Sequence, residues 1–469
     1  RKFLLLNVCS TFSLRPLNII NGKTMLKIVL SFLFMSLAFT VQATEQDASR
    51  LAKDLTPVGA ERMGNGSDIP SWTGGLKQSK SHKSGDFHSN PYFRETPLFS
   101  ISQTNMEEHK DRLSLGSQKL LKQFPSMEMF VYKTHRSASY PDYVYKGIKD
   151  NMQSSSLMKF GAGVEGARIS SPFPIPQNGL EVLWNHTLRF RGQSISFEAS
   201  TVNVNAAGSR SVTLRDYQYY FGYSDPELTT ADLNNKIFFL KRKTLAPSSQ
   251  AGGITLVHET LDQVRSPRKS WIYVPGQRRI RRTPNLNHDT PDISTNSLRT
   301  IDQVDMFNGA PTYYDWKLVG KQEMYIPYNS YLLHSDDLTI EDIAGPAHLN
   351  PKLLRYEAHR VWVVEATLRV GLRHRYAKRR YYFDEDSWSI VYAEEYDEEG
   401  SLWQFTEAHL MNYFDVPLVF STLENTYDFK DGRYFVEGID NDRGATYDYS
   451  VEYSLRDFTT SAIRREAKR

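Results

Sequence analysis

From Glu181 onward the chain alternates polar and apolar residues with a period of two, and it keeps this up as far as Ile439. A pattern so long admits little besides a large antiparallel sheet. Residues 193–204, 211–223, 236–245, 253–264 and 269–274 read as strands, rich in Val, Ile, Thr, Phe and Tyr. So do 316–326, 360–368, 375–383, 387–396, 401–409, 425–429 and 433–439. The connectors carry turn chemistry: Pro275-Gly276-Gln277, Asp384-Glu385-Asp386, Asp397-Glu398-Glu399-Gly400 and Asp431-Gly432. Consecutive strands with short turns make a meander, and too few helices alternate with them for a parallel βαβ architecture. The expected fold is mainly β: one large curved antiparallel sheet, a barrel or half-barrel, with a few covering helices.

The N-terminal part differs. Met106 to Phe124 has helical spacing of Leu113, Leu115, Leu120 and Leu121, whereas Pro172, Pro174 and Pro176 force an extended path. The apolar run Ile28 to Ala38 follows Lys27 and precedes Val41-Gln42-Ala43, a charged start and small-residue exit that read as a secretory signal peptide. The run is shorter than the roughly 20 residues a membrane-spanning helix needs. The expected organisation is an upstream extension at 1–24, a signal peptide at 25–43, a helix- and loop-rich segment at 44–180 packed on the sheet, and the β domain at 181–469. Removal of 1–43 takes away Arg1, Lys2, Arg15, Lys23 and Lys27, so the formal charge of +3 becomes −2, and the single cysteine, Cys9, goes too. A Cys-free exported chain is held together by burial alone, which excludes disulfide scaffolds, thiolate metal sites and Cys nucleophiles.

An outer-membrane barrel also alternates, but Arg379-Arg380 and Glu394-Glu395 put charge on both faces of their strands, which a lipid-facing band would not accept. Catalytic patterns are absent: no G-x-S-x-G, no phosphate-binding Walker loop and no H-E-x-x-H. His258-Glu259 lacks the second histidine, and on a strand the two point to opposite faces, so separate polar contacts are expected. Nothing in the spacing of His186, His359 and His374 brings them together as a metal or acid–base site. No catalytic residue, metal or cofactor is expected, and the chain reads as a non-enzyme. A pair of groove carboxylates acting on envelope glycan or lipid is the alternative; a structural adaptor of an envelope complex is another.

Two groups of residues carry binding expectations. The aromatics share faces: Trp362, Val364, Ala366 and Leu368 on one strand, Trp271 with Tyr273 on a second, Trp388 with Ile390 and Tyr392 on a third. Such a face is covered either by a packed core or by an apolar ligand, and the candidate cavity residues are Trp271, Tyr273, Trp362, Val364, Leu368, Trp388 and Tyr392. The cluster Arg278, Arg279, Arg281 and Arg282 either pairs with acidic strands nearby or contacts lipid phosphate or an acidic partner. A nucleic-acid partner does not suit an exported, slightly acidic chain.

Several longer stretches are recognisable together: Asp54 to Ala60, Ile69 to Gly75, Pro172 to Gly179, Trp184-Asn185-His186, Trp271 to Arg279, Asp305 to Gly309, Tyr314 to Gly320, Met324 to Asn329 and Asp384 to Trp388. In this order they resemble an uncharacterised (domain-of-unknown-function) family of Gram-negative periplasmic proteins. The resemblance implies a LolA/LolB-like outer-membrane lipoprotein-sorting fold, an unclosed antiparallel barrel lidded by helices around an apolar cavity for acyl chains. It implies a periplasmic carrier for a lipid, lipoprotein acyl chain or other hydrophobic cargo, working with an envelope exporter and an outer-membrane partner. No catalytic residues come with it. The chain is about twice the length expected of a simple carrier of that fold.

Overall fold

In a computed structural model the structure describes residues 49–51, 53–284 and 288–467, and the described residues from Arg50 onward make one compact unit. The expected extension at 1–24 and signal peptide at 25–43 lie outside the described residues. No helix among the described residues is long and apolar enough to cross a membrane.

The described residues form seventeen strands: β1 (Phe99–Ile101), β2 (Met129–Val131), β3 (Ser156–Leu157), β4 (Val164–Glu165), β5 (Ser194–Val204), β6 (Arg210–Tyr220), β7 (Lys236–Ala246), β8 (Ile254–Thr260), β9 (Lys269–Val274), β10 (Arg279–Arg282), β11 (Tyr314–Pro327), β12 (Tyr356–Leu368), β13 (Lys378–Asp384), β14 (Ile390–Tyr396), β15 (Leu402–Tyr413), β16 (Leu418–Asp428) and β17 (Tyr434–Ile439). Fifteen of them join one sheet; β3 and β4 form a separate hairpin. Two meanders, β5 to β10 and β11 to β17, are joined by the antiparallel pairing of β17 with β5. The N-terminal segment adds β1 and β2, with a single parallel bridge from Val131 to Tyr356. Among the described residues β10 and β11 are not paired to each other, so the sheet is unclosed, as expected.

Three expectations are corrected. Residues 179–188 are a helix rather than the start of the β region: Asn178 caps it by accepting from the Glu181 backbone N–H, and Val182, Leu183, Trp184, Asn185, His186 and Leu188 are all buried. A helix buried on nearly every side has no polar stripe to betray its 3.6-residue period. The helical stretch 106–124 is broken into two short 3-10 turns and the helix Leu115–Gln123, because Ser114 caps a new start. Finally, β16 begins at Leu418, seven residues before the strand read at 425–429.

Both faces of the central strands are covered, since all seven residues of β14 are buried. The main core gathers Val361, Val363, Val364, Tyr381, Phe383, Trp388, Tyr392 and Phe405, and the helix Leu115–Gln123 packs on it so closely that a Cβ at Gly116 would stand 2.0 Å from the Phe405 ring. Gly59, at φ +97°, lets residues 54–60 lie against 172–179: a Cβ there would meet the Pro174 carbonyl oxygen at 1.9 Å. The Trp388 indole N–H donates to the Val58 carbonyl at 2.9 Å, so three of the recognisable stretches meet in one place.

Candidate functional site

A recess of about 690 Å³ opens between the loop Asp86–Glu95, Tyr132 just after β2, the segment Asn329–Asp336 after β11, and Leu353–Arg355 before β12. Phe87, Tyr92, Phe93, Tyr132, Tyr331, Leu332, Leu353 and Leu354 supply its apolar wall. Arg355 is its buried cation. The guanidinium lies between the rings of Tyr132 and Tyr92, at 4.5 and 5.1 Å, and donates to Glu357 at 2.6 Å and Glu95 at 2.7 Å. Burial alone would raise the Glu95 carboxyl, but its bonds to Arg355 and His135 hold it below the usual range. Burial raises the Tyr92 hydroxyl strongly, so it stays a neutral donor.

Behind this wall a polar chain runs into the core. Asn329 donates to Glu357 at 3.0 Å, and His359 stands 3.3 Å from the other Glu357 oxygen with its ring stacked on Tyr328 at 4.0 Å. The turn Asp384–Ser387 lies beyond, where Arg136 grips Asp386 with two bonds of 2.8 and 2.7 Å and Ser387 donates to Asp384 at 2.6 Å. Burial, and then the charge of Asp386, push the Asp384 carboxyl up to about 7. His359, Asp384 and Asp386 are close enough to share a metal ion, yet their donor atoms are already engaged by Glu357, Ser387 and Arg136.

A second histidine group adjoins the recess. His88 stacks on His82 at 4.0 Å, and its Nε2 is 2.9 Å from Asp415 in the β15–β16 turn. Its Nδ1 approaches His334 Nε2 at 3.4 Å, and His334 Nδ1 lies 2.9 Å from Asp440. Burial outweighs Asp415 and brings the His88 imidazole down to about 4, so it is neutral at pH 7.

The residues singled out in the sequence lie elsewhere. Val364, Trp388 and Tyr392 are within the main core, and the Tyr392 hydroxyl donates to the Tyr325 carbonyl at 2.9 Å. Trp362 and Leu368 pack on that core from its edge, Trp362 stacked on Trp388 at 6.3 Å. Trp271 and Tyr273 belong to a small cluster under β9, with Leu256 and Phe458. Arg278, Arg279, Arg281 and Arg282 lie on the terminal hairpin of the sheet, β9–β10, where all four are exposed; no ion pair involves them among the described residues. Pairing with nearby acidic strands is therefore not what holds them. His186, His359 and His374 sit in three separate networks, around Asp305, Glu357 and Asp302. His258 and Glu259 make separate contacts, with the Phe458 carbonyl at 2.8 Å and with Arg268 at 2.6 Å. The recess itself left no signal in the sequence, because its walls come from four segments and Gly444, none with periodicity.

A family model described as a protein of unknown function, DUF1329, matches residues 100–464. The chain belongs to this family. The match agrees with the resemblance carried by the sequence motifs. A curated relative, the uncharacterized protein PA3922 of Pseudomonas aeruginosa, is 42% identical over 445 residues, covering 94% of this chain and 97% of that one. Among solved structures, an outer membrane lipoprotein-sorting protein domain from Vibrio parahaemolyticus is similar at TM-score 0.41 and 14% identity, over 61% of this chain and 98% of that one. A DUF1329 family protein from Desulfovibrio piger is similar at TM-score 0.38 and 14% identity, over 58% and 92%. The LolA superfamily protein NE2245 from Nitrosomonas europaea is similar at TM-score 0.34 and 15% identity, over 61% and 100%.

Proposed function

We propose that this DUF1329 protein is a periplasmic binding or carrier protein for an amphipathic molecule, a lipid or lipoprotein acyl chain being the class that fits. The recess carries this reading. Its volume of about 690 Å³ falls in the range of small-molecule sites, about 300–1,000 Å³. One part of its wall is aromatic and leucine-rich; the rest is polar, with Asp86, Asn90, Ser335 and Asp336 beside Arg355, which is already paired with Glu95 and Glu357. Each methylene removed from water there contributes about 0.8 kcal/mol, so eight give about 6 kcal/mol without any chemistry. Trp271, Tyr273, Trp362, Val364, Leu368, Trp388 and Tyr392 are candidate contacts for a longer apolar chain only where the segments covering them move aside. An envelope exporter and an outer-membrane protein are the partners this role calls for.

The expected result is saturable uptake of a fluorescent fatty acid by the purified protein, weakened at least tenfold by Leu332→Trp, a partly exposed wall position, with unchanged circular dichroism. A protein that carries no extractable lipid and takes up no fatty acid would sink the proposal. In the same reading Arg278, Arg279, Arg281 and Arg282 dock the protein on anionic lipid or an acidic partner surface. Vesicles containing phosphatidylglycerol should retain the protein at low salt and lose it when the four arginines become serine; equal retention of both would remove that role.

A further inference from the structure

We propose that His82, His88 and Asp415 form a binding site for one divalent transition-metal ion, zinc being the best match to the ligand set. One donor atom from each of the three lies within 4.8 Å of the others. The site is built by the loop that carries both histidines, which is pinned over the β15–β16 turn: the Ser79 N–H donates to the Phe414 carbonyl and the Gln78 amide to that of Asp415, each at 2.9 Å.

Unsatisfied atoms point to a cation as the ligand. The His82 Nε2 and the Asp415 Oδ2 are both buried without a hydrogen-bond partner, and the Asp415 side chain is only 5% exposed. A buried polar atom left unpaired costs about 1–3 kcal/mol, and here two such atoms stand beside a third, the His88 Nε2, 2.9 Å from the same carboxylate. A metal ion would satisfy the two orphaned atoms and take the place of the His88–Asp415 hydrogen bond. Zinc with bonds of about 2.0–2.2 Å sets its ligands roughly 3.4 Å apart; because the His82 and His88 rings are stacked with 27° between their planes, the half-buried His82 has to turn out of the stack for its lone pair to meet that of His88 on one ion.

The surroundings support this assignment. With Nε2 on the ion, His88 Nδ1–H donates toward His334, whose far nitrogen is 2.9 Å from Asp440, which in turn accepts from the Thr446 hydroxyl. The 3.4 Å contact with His334 orients the ligand ring from behind; His334 Nδ1, although 2.9 Å from Asp440, makes no hydrogen bond with it. Phe414 and Tyr413 face the His88 ring edge-on at 4.8 and 5.1 Å and keep the site apolar. Two nitrogens and one oxygen suit zinc better than calcium or magnesium, and three protein ligands leave a fourth position open. The group His359, Asp384 and Asp386 has no such orphaned atoms among those three residues.

The test is titration of the full chain, stripped with EDTA, with zinc chloride in a calorimeter, and with cobalt(II) by visible absorption. One equivalent of zinc and a cobalt spectrum of a four-coordinate nitrogen–oxygen site are expected. His82→Gln and Asp415→Asn should each weaken binding at least tenfold. Less than one equivalent of zinc, or an unchanged affinity in both ligand variants, overturns the site. If a variant fails to fold, the wild-type stoichiometry and cobalt spectrum decide alone. Fatty-acid uptake unaffected by zinc leaves this site standing independently of the carrier reading.

Discussion

Arg379→Met is expected to destabilise the protein by about 3–5 kcal/mol, the cost of leaving one partner of a buried ion pair alone. Arg379 lies in β13 with no exposure, and its guanidinium makes two bonds to Asp302, of 2.9 and 3.1 Å. It is enclosed by the rings of Tyr376, Tyr314 and Phe307 at 5.0, 5.2 and 5.8 Å, and His374 stands 3.2 Å from the same carboxylate. Burial alone would raise the Asp302 carboxyl, but the charge of Arg379 and the contact with His374 hold it far below the usual range. A lowered carboxyl stabilises the fold above its unfolded value, near pH 4, and that contribution disappears on acidification. Urea unfolding at pH 7 checks the prediction, and the double variant Arg379→Met with Asp302→Leu should recover part of the loss. A loss below about 1 kcal/mol in the single variant would show that the pair does not anchor this part of the core.

Glu395→Gln should have the opposite effect, and only at high pH. Glu395 faces Arg379 across the β13–β14 ladder, but the arginine is turned to Asp302, and both Glu395 carboxyl oxygens are buried without a hydrogen-bond partner. Burial pushes its carboxyl up to about 8, against the pull of Arg379 and with the push of Asp302. The folded protein therefore holds this proton more tightly than the unfolded chain does. Stability from this group is full below about pH 4.3, falls as pH rises and is lost above the folded value. Glutamine removes the ionisation. Each tenfold difference in proton affinity between the folded and unfolded chain corresponds to about 1.4 kcal/mol, so the gain at pH 9 is on the order of 4 kcal/mol, with little change at pH 5. Glu424, raised to about 8, and Glu407, raised to about 7, act in the same direction, so the variant keeps a shallower slope of its own. Thermal melts at pH 5, 7 and 9 give the answer; parallel curves for both proteins would refute it.

These two residues also show where reading by pattern stops. Arg379-Arg380 and Glu394-Glu395 look from the sequence like charges on strands with a wet face. In the structure Arg379, Glu394 and Glu395 have no exposure at all, because covering segments lie over both faces of the central strands. Period-two alternation reports which side of a strand a residue takes, not what lies beyond that side. The helix Gly179–Leu188 was hidden for a related reason, being buried on nearly all sides.

The sequence by itself determined the sheet. The strand positions from β5 to β17 follow from alternation and β-branched content, save β10, whose Arg-Ile-Arg-Arg has little of either and does not read as a strand, and the early starts of β12 and β16. The turns follow from residues such as Gly400 and Gly432, which adopt φ of +78° and +71°. The family was legible in the motif order as well. Only the tertiary structure decided what the sheet is wrapped in, which apolar faces are filled, and where space remains. The recess takes its walls from chain positions as far apart as Phe87 and Arg355, and the histidine group joins His82 and His88 to Asp415. Local period carries no information about such encounters, since they depend on how loops close over long stretches of chain and on burial summed across the whole core.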